Sequence, residues 1–310
     1  MKILVTGGAG FIGSHVNSLL LEQCHEVTVV DNLSHSDKAY LDPKVTFHQA
    51  DLLDQKALEE ILPTHDAVIH MASFIEVGES VKKPVEFAEN NIMGTVKLLE
   101  AMRKVGVKKI IFSSSACVYG TPQKNPITED DVLGVPENPY GLSKVSMEQF
   151  CQLYHNIYGF DVTILRYFNP YGPGELHTPE THAIPNFIKA VLQKNPIPLF
   201  WKGEQIRDFI FIKDLAQAHI LPLNQTGFHI YNVGTETGVK VIDVVKKIFE
   251  IVGYNLPIND LGERKGDVKE LVASAKKLKS ELGWGAKVDL DAGLKETINF
   301  YQSHPFPIKP

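Results

Sequence analysis

An apolar run, Ile3-Leu4-Val5-Thr6, ends in Gly7-Gly8-Ala9-Gly10-Phe11-Ile12-Gly13, and apolar residues at helical spacing follow. This junction constrains the chain more than any other feature. A short run with almost no polar face is a strand buried on both sides, which implies a parallel sheet covered by helices. Gly7 permits a tight turn, Gly10 lets backbone amides approach a ligand, and Gly13 lets the next helix pack closely on the strand. The helix N-terminus behind the turn favours negative charge, so a dinucleotide pyrophosphate fits there. The alternative is the same strand–turn–helix without a ligand.

The pattern then repeats. Ile3–Thr6, Val27–Asp31, Val45–His48, Ala67–His70 and Lys109–Ser113 read as strands. Gly13–Gln23, Gln55–Leu62 and Pro84–Val105 read as helices, with apolar residues three and four apart. A further helix is expected from about Asn138 to Tyr158, then a strand at Val162–Arg166. Such alternation, with right-handed crossovers, gives a doubly wound α/β fold of Rossmann type. The character changes after Asn169, where Pro170, Gly172, Pro173 and Gly174 cluster. Residues 1–169 are therefore expected to form a dinucleotide-binding domain. Residues 170–310 are expected to form a smaller α/β domain, with some chain returning to the first. Its expected elements are helix Pro185–Gln193, strand Asp208–Ile212, and helices Lys213–Leu221, Val241–Val252 and Ser274–Leu282. A chain of 310 residues exceeds the roughly 250–300 at which one core stops growing.

Composition narrows the function. Hydrophobic residues make up 44% and charged residues 22%, which excludes a disordered or fibrous chain. A net charge of −6 argues against sequence-independent nucleic-acid binding. Cys24, Cys117 and Cys151 are far apart and odd in number, so neither a disulfide framework nor zinc-finger spacing is present, and no metal is expected. That usage suits a reducing cytoplasm. No apolar run approaches the roughly 20 residues needed to span a bilayer, and the N-terminus reads as a strand rather than a signal peptide.

Several residues carry chemistry. Asp31 ends the second strand, 18 residues after Gly13. A carboxylate there can accept both ribose hydroxyls of NAD and repels the 2′-phosphate of NADP. Neither Asn32 nor Leu33 adds a compensating positive charge, so NAD is expected. Asp51, with Leu52, either contacts adenine or caps the segment beginning at Leu53. Tyr140 and Lys144 stand at i and i+4 on one helix face. A free phenol with pKa of about 10 is a poor base, but the Lys144 charge and a positive nicotinamide both favour the phenolate. Such a tyrosine can take and return a hydroxyl proton while hydride moves. Ser113-Ser114-Ser115 ends the fifth strand, where sites in open α/β sheets lie. A hydroxyl there can orient the proton transfer, or the serines are polar strand-end residues.

The G-x-x-G-x-x-G spacing, Ser113–Gly120, Pro139–Lys144 and Leu165–Pro170 together resemble the extended short-chain dehydrogenase/reductases that act on nucleotide sugars. Within these the chain is similar to the UDP-hexose 4-epimerase family. The likeness spans nearly the whole chain and includes Val77–Pro84, Arg207–Ile210 and Arg264–Asp267. It implies an isomerase that interconverts UDP-galactose and UDP-glucose by NAD-dependent oxidation at C4, rotation of the 4-keto sugar and hydride return. It implies that Ser115, Tyr140 and Lys144 are catalytic. By the same resemblance Gly7, Gly10, Phe11, Ile12, Gly13, Asp31, Asn32, Leu33, Ser34, His35, Ser36, Asp51, Leu52, Met71, Ala72, Ser73, Ile75, Asn90 and Phe168 hold NAD. Asn169, His182, Arg207, Arg264 and Asp267, with Ser115 and Tyr140, would hold the UDP-sugar. Arginine forks suit phosphate oxygens, although either arginine can instead bridge domains. The resemblance also implies a homodimer joined through the Pro84–Val105 and Asn138–Tyr158 helices.

Related dehydratases carry a Thr-Asp-Glu run where this chain has Ser115-Ala116-Cys117. Elimination of water needs an added acid and base, so dehydration is not expected. Ile75 stands where such epimerases often carry lysine, His182 where an asparagine commonly meets substrate, and Leu271 near a position that decides whether N-acetylated sugars fit. These positions leave open a 4-epimerase for UDP-N-acetylglucosamine or UDP-glucuronate. A 4-keto reductase and a non-catalytic nucleotide-sensing chain also stay open.

Overall fold

The computed structural model describes residues 1–175, 182–263 and 268–304. The first part of the chain forms β1 (Lys2–Thr6), α1 (Phe11–Glu22), β2 (Glu26–Asp31), β3 (Thr46–Gln49), α2 (Gln55–Ile61), β4 (Ala67–His70), α3 (Val77–Lys82), α4 (Pro84–Phe87), α5 (Gly94–Val105), β5 (Lys109–Ser115), α6 (Pro139–Tyr158) and β6 (Asp161–Tyr167). The rest forms β7 (Asn169–Tyr171), α7 (Ala183–Leu192), β8 (Ile197–Leu199), β9 (Ile206–Phe211), α8 (Ile212–Ile220), β10 (Phe228–Val233), β11 (Gly238–Lys240), α9 (Val241–Val252), β12 (Ile258–Asp260), β13 (Glu270–Leu271), α10 (Lys276–Leu282) and α11 (Leu290–Ser303).

Seven parallel strands make the main sheet, in the order β10-β6-β5-β4-β1-β2-β3. The period of two in a strand explains how the sheet is covered. Ile3 and Val5 of β1 join the core on one face, with Val16 and Leu20 of α1 and Leu215 of α8. Leu4 joins the other, with Leu58, Leu98, Met102 and Met147 of α2, α5 and α6. The strand order reverses between β1 and β4, which opens a crevice at the carboxyl ends of the strands.

Two departures from the sequence pattern concern how the crevice is built. The segment read as one helix, Pro84–Val105, is interrupted by a π-helical stretch at Ala88–Met93, which carries Asn90 and the buried Asn91. Helix α8, expected in the second domain, packs against α1 beside the main sheet. The sequence pattern also does not assign α3, β10 or α11. In β10 the residues Phe228, His229 and Ile230 are only half-buried, so the run lacks the apolar signature of the inner strands. Its register with β6, from Phe228 opposite Val162 to Val233 opposite Tyr167, makes it a strand. In α11 the buried Leu294, Ile298 and Tyr301 form a helical stripe that carries a usable signal.

The second part adds a small sheet of β11, β9 and β13, with β7 on β9, and the pair β8–β12. Beneath the crevice lies a buried ion pair. Glu148 of α6 accepts from Arg166 Nε at 3.0 Å and Nη2 at 2.7 Å, and from the Ser114 hydroxyl. Arg166 Nη1 donates to the Tyr119 hydroxyl at 2.9 Å, and Tyr119 donates to Asn232 Oδ1 at 2.7 Å. These bonds tie α6 to β5, β6 and β10. Removing one partner from a buried pair leaves an uncompensated charge. Arg166→Met is expected to destabilise the fold by roughly 3–5 kcal/mol. Adding Glu148→Leu should restore much of that loss, read as the urea unfolding midpoint of each variant.

Candidate active site

The turn after β1 is held at atomic contact. Gly7 adopts φ +71, and a Cβ there would lie 2.7 Å from Ala72 N. A Cβ on Gly13 would lie 2.4 Å from Gly7 O. Only glycine lets α1 begin this close to β1, and its first amides face the crevice. That crevice is a cavity of about 680 Å³. It is lined along its length by Gly7, Gly10, Phe11, Ile12 and Gly13 from the turn, and by Asp31, Asn32, Ser34, His35 and Ser36 after β2. Leu52, Met71, Ala72, Ser73, Ile75 and Asn90 continue it, and Ser115, Tyr140, Lys144, Phe168, Asn169 and His182 complete it.

Asp31 is nearly buried and already hydrogen-bonded within the chain. Its Oδ2 accepts from Ala9 N at 3.1 Å, and its Oδ1 accepts from Leu33 N and Ser36 Oγ, both at 2.9 Å. A carboxylate offers about four acceptor positions. Three are taken, so the expectation that Asp31 accepts two ribose hydroxyls is reduced to about one further bond. Ser73 Oγ is buried in the cavity wall with no partner among the described residues, which marks it as a group facing a ligand. These glycines, the orphaned hydroxyl and Asp31 fit a dinucleotide.

At the other end of the cavity, Asn138 caps α6 by accepting from Gly141 N at 2.9 Å, which sets Tyr140 and Lys144 in the first turns. Tyr140 and Ser115 line the same end of the cavity. Ser115 Oγ accepts from Cys117 N at 3.2 Å. Lys144 Nζ donates to Ser113 O at 2.8 Å and lies 5.9 Å from the centre of the Tyr140 ring. The protonation picture differs from the sequence expectation. Burial, reinforced by Cys117, pushes the Tyr140 phenol up, and the nearby Ser115 hydroxyl acts the other way. Burial also pushes Lys144 down, to about 7. In the protein alone desolvation outweighs the expected help from Lys144, so Tyr140 is a phenol at neutral pH. Burial likewise raises Cys117.

Some expected site residues lie elsewhere. Leu33, left-handed at φ 59, gives its amide to Asp31 and does not line the cavity. Asp51 is also outside the lining. It accepts from Asn32 Nδ2 at 2.9 Å and Leu53 N at 2.8 Å, so it holds two loops together, while Asp54 caps α2. Arg207 is buried on β9, donates to Ile206 O at 2.8 Å and does not line the cavity. Arg264 and Asp267 lie outside the described residues. Asn169 reaches the cavity but also donates to Asp208 O at 3.0 Å, and His182 contacts the buried Glu175. The lining further includes Phe74, Glu76, Tyr167, Asn186, Phe200 and Leu271. Glu76 adjoins the Val77–Pro84 run and was within reach of sequence reasoning. Phe200 and Asn186 come from separate elements of the second part, and no spacing in the sequence points to them.

Strand order, glycine turn and the Ser115–Tyr140–Lys144 group define a dinucleotide-dependent enzyme of the short-chain dehydrogenase/reductase class. The chain belongs to the NAD dependent epimerase/dehydratase family, whose model matches residues 3–234. The UDP-glucose 4-epimerase of Yersinia enterocolitica is 40% identical over 98% of this chain and 98% of its own. The crystal structure of the Thermotoga maritima UDP-glucose 4-epimerase with UDP-glucose is 36% identical, with a TM-score of 0.94 over 98% of this chain and 99% of that one. The Bifidobacterium longum UDP-glucose 4-epimerase, solved with NAD+ and UDP, is 35% identical with a TM-score of 0.93, over 98% of this chain and 99% of that one.

A lysine lowered from 10.5 to about 7 binds a proton in the unfolded chain that it lacks in the folded one between those values. Lys144 therefore opposes folding fully at pH 7 and below, and that opposition fades as pH rises toward 10.5. Lys144→Met is expected to stabilise dinucleotide-free protein by a few kcal/mol at pH 7. The advantage should shrink steadily by pH 10, as measured by urea unfolding at each pH. A gain independent of pH would refute this account.

Proposed function

We propose that this chain is an NAD-dependent UDP-hexose 4-epimerase that interconverts UDP-galactose and UDP-glucose. The observation that carries the reading is the Ser115–Tyr140–Lys144 group at the end of a cavity that begins at a dinucleotide turn. Cys117 stands two residues beyond Ser115 and has no carboxylate to support elimination of water. NAD, held along Gly7–Gly13, Asp31 and Ser73, supplies the hydride acceptor and donor when bound. Its positive ring would favour the Tyr140 phenolate that burial alone disfavours. Tyr140 then takes the proton of the sugar 4-hydroxyl and later returns it. Ser115 bridges that hydroxyl and the phenol. Lys144, held by Ser113 O, completes the polar wall. Both C4 configurations share one 4-keto form, so a sugar that turns over before hydride return is inverted.

The main sheet is assigned to the dinucleotide, and β7, α7 and the small sheet to the nucleotide sugar. Asn169, His182, Asn186 and Phe200 are the described residues offered to that half. Three free cysteines and the lack, among the described residues, of any helix long and apolar enough to cross a membrane favour a cytoplasmic enzyme.

A homodimer is part of the same reading. Val81 at the end of α3, Val85 and Met93 on the helical segment from Pro84 to Val105, and Leu142, Leu153 and Ile157 on α6, are exposed apolar residues. They give each segment a stripe suited to a bundle of four helices, two from each copy.

Incubation with UDP-galactose, followed by chromatography of the products, tests the activity directly. UDP-glucose should form, and Tyr140→Phe should lower kcat by about 10²–10⁴-fold with a modest change in UDP affinity. Near-normal turnover in that variant would remove Tyr140 from the role. Ile157→Asp is expected to yield monomers, measured by light scattering; an unchanged dimer would place the interface elsewhere.

A further inference from the structure

Three described residues that line the cavity can carry positive charge: Lys144, His182 and His35. Lys144 stands beside Tyr140 and His182 opens α7, so only His35 lies on the loop that follows Asp31. The adjacent Ser36 is bonded to Asp31 itself. His35 is not available as a cation for a ligand. Its Nδ1 lies 3.3 Å from Glu76 Oε1, a carboxylate with only 4% of its side chain exposed. Its ring packs on Phe74 with centroids 4.8 Å apart. Glu76 is held in turn, because its Oε2 accepts from Ile75 N at 3.1 Å.

We propose that Glu76 is a determinant of NAD over NADP, acting by neutralising His35, the cation that would otherwise receive a 2′-phosphate beside Asp31. This rests on the reading of the cavity as a dinucleotide site. Asp31 repels a 2′-phosphate and accepts a ribose hydroxyl, but one carboxylate next to an unpaired imidazolium is a weak barrier. The His35–Glu76 pair removes that imidazolium as a competitor and adds a second carboxylate to the same wall.

The electrostatics agree with the geometry. The bond to Glu76 raises His35 above its ordinary value against the effect of burial; Glu86 adds to the rise and Lys83 opposes it. Burial pushes Glu76 up, but bonds from His35 and from backbone amides hold its carboxyl below the usual range. The contact thus favours the charged form of each partner, and the two charges offset each other. Without Glu76, His35 would titrate nearer its ordinary value of about 6.5. More of it would be an unpaired cation at pH 6 than at pH 8.

Dinucleotide-free protein is titrated with NAD and with NADP by calorimetry, at pH 6 and pH 8. The quantity read is the ratio of the two Kd values. Glu76→Gln keeps the side-chain shape and an acceptor for Ile75 N. It is expected to lower the NADP/NAD ratio by about tenfold at pH 6 and by little at pH 8. His35→Gln added to Glu76→Gln should bring the ratio back to that of the unaltered protein. An unchanged ratio in Glu76→Gln overturns the proposal, as does a pH-independent change or one that survives His35→Gln. Failure of the unaltered protein to bind NAD at all would instead overturn the dinucleotide reading on which the proposal stands.

Discussion

The close approach of α1 to the end of β1 is the constraint on which the rest depends. At Gly13 a Cβ would sit 2.4 Å from Gly7 O, inside any real contact. With both glycines present, the helix starts at the strand end and its free amides face the crevice where strand order reverses. The same turn anchors Asp31, whose carboxylate accepts from Ala9 N. One backbone geometry therefore positions the glycine turn and the Asp31 carboxylate together.

Burial then sets the chemistry at the far end. Tyr140 and Lys144 are both enclosed, and enclosure disfavours the charged form of each. The phenol rises and the ammonium falls, so enclosure works against a phenolate–ammonium pair in the resting protein. A positive charge brought into the cavity would favour the Tyr140 phenolate that burial disfavours. A site of this kind couples proton transfer to occupancy, because without a positive partner the phenolate has little support. The Glu148–Arg166 pair beneath it spends its charges on each other and on Ser114 and Tyr119. Its strength goes into holding α6 and the strands in register rather than into the reaction.

Much of this was legible in the residues. The inner strands are short apolar runs, and Ile3–Thr6 and Ala67–His70 emerge with nearly the expected limits. The glycine turn, Asp31 and the Tyr140–Lys144 spacing were readable because each is local. Their chemistry needs a particular residue at a short, constant distance. Asp51 shows the limit of that logic. A carboxylate after a strand suits either a ligand or a turn, and its bonds to Asn32 and Leu53 become visible only in the fold. Edge strand β10 was hidden because half of it faces solvent. Helix α8 was legible as a helix but its neighbour was not, because its packing on α1 joins segments nearly two hundred residues apart.

The sequence by itself determined the doubly wound architecture and the dinucleotide turn, since both follow from periodicity and short spacing. Only the tertiary structure decided which groups share the cavity and in what protonation state. Glu76 meets His35, Phe200 joins Asn169, and Lys144 is pushed down to about 7. Such pairings and burials join residues distant in the chain, and desolvation has no signature until the fold excludes water.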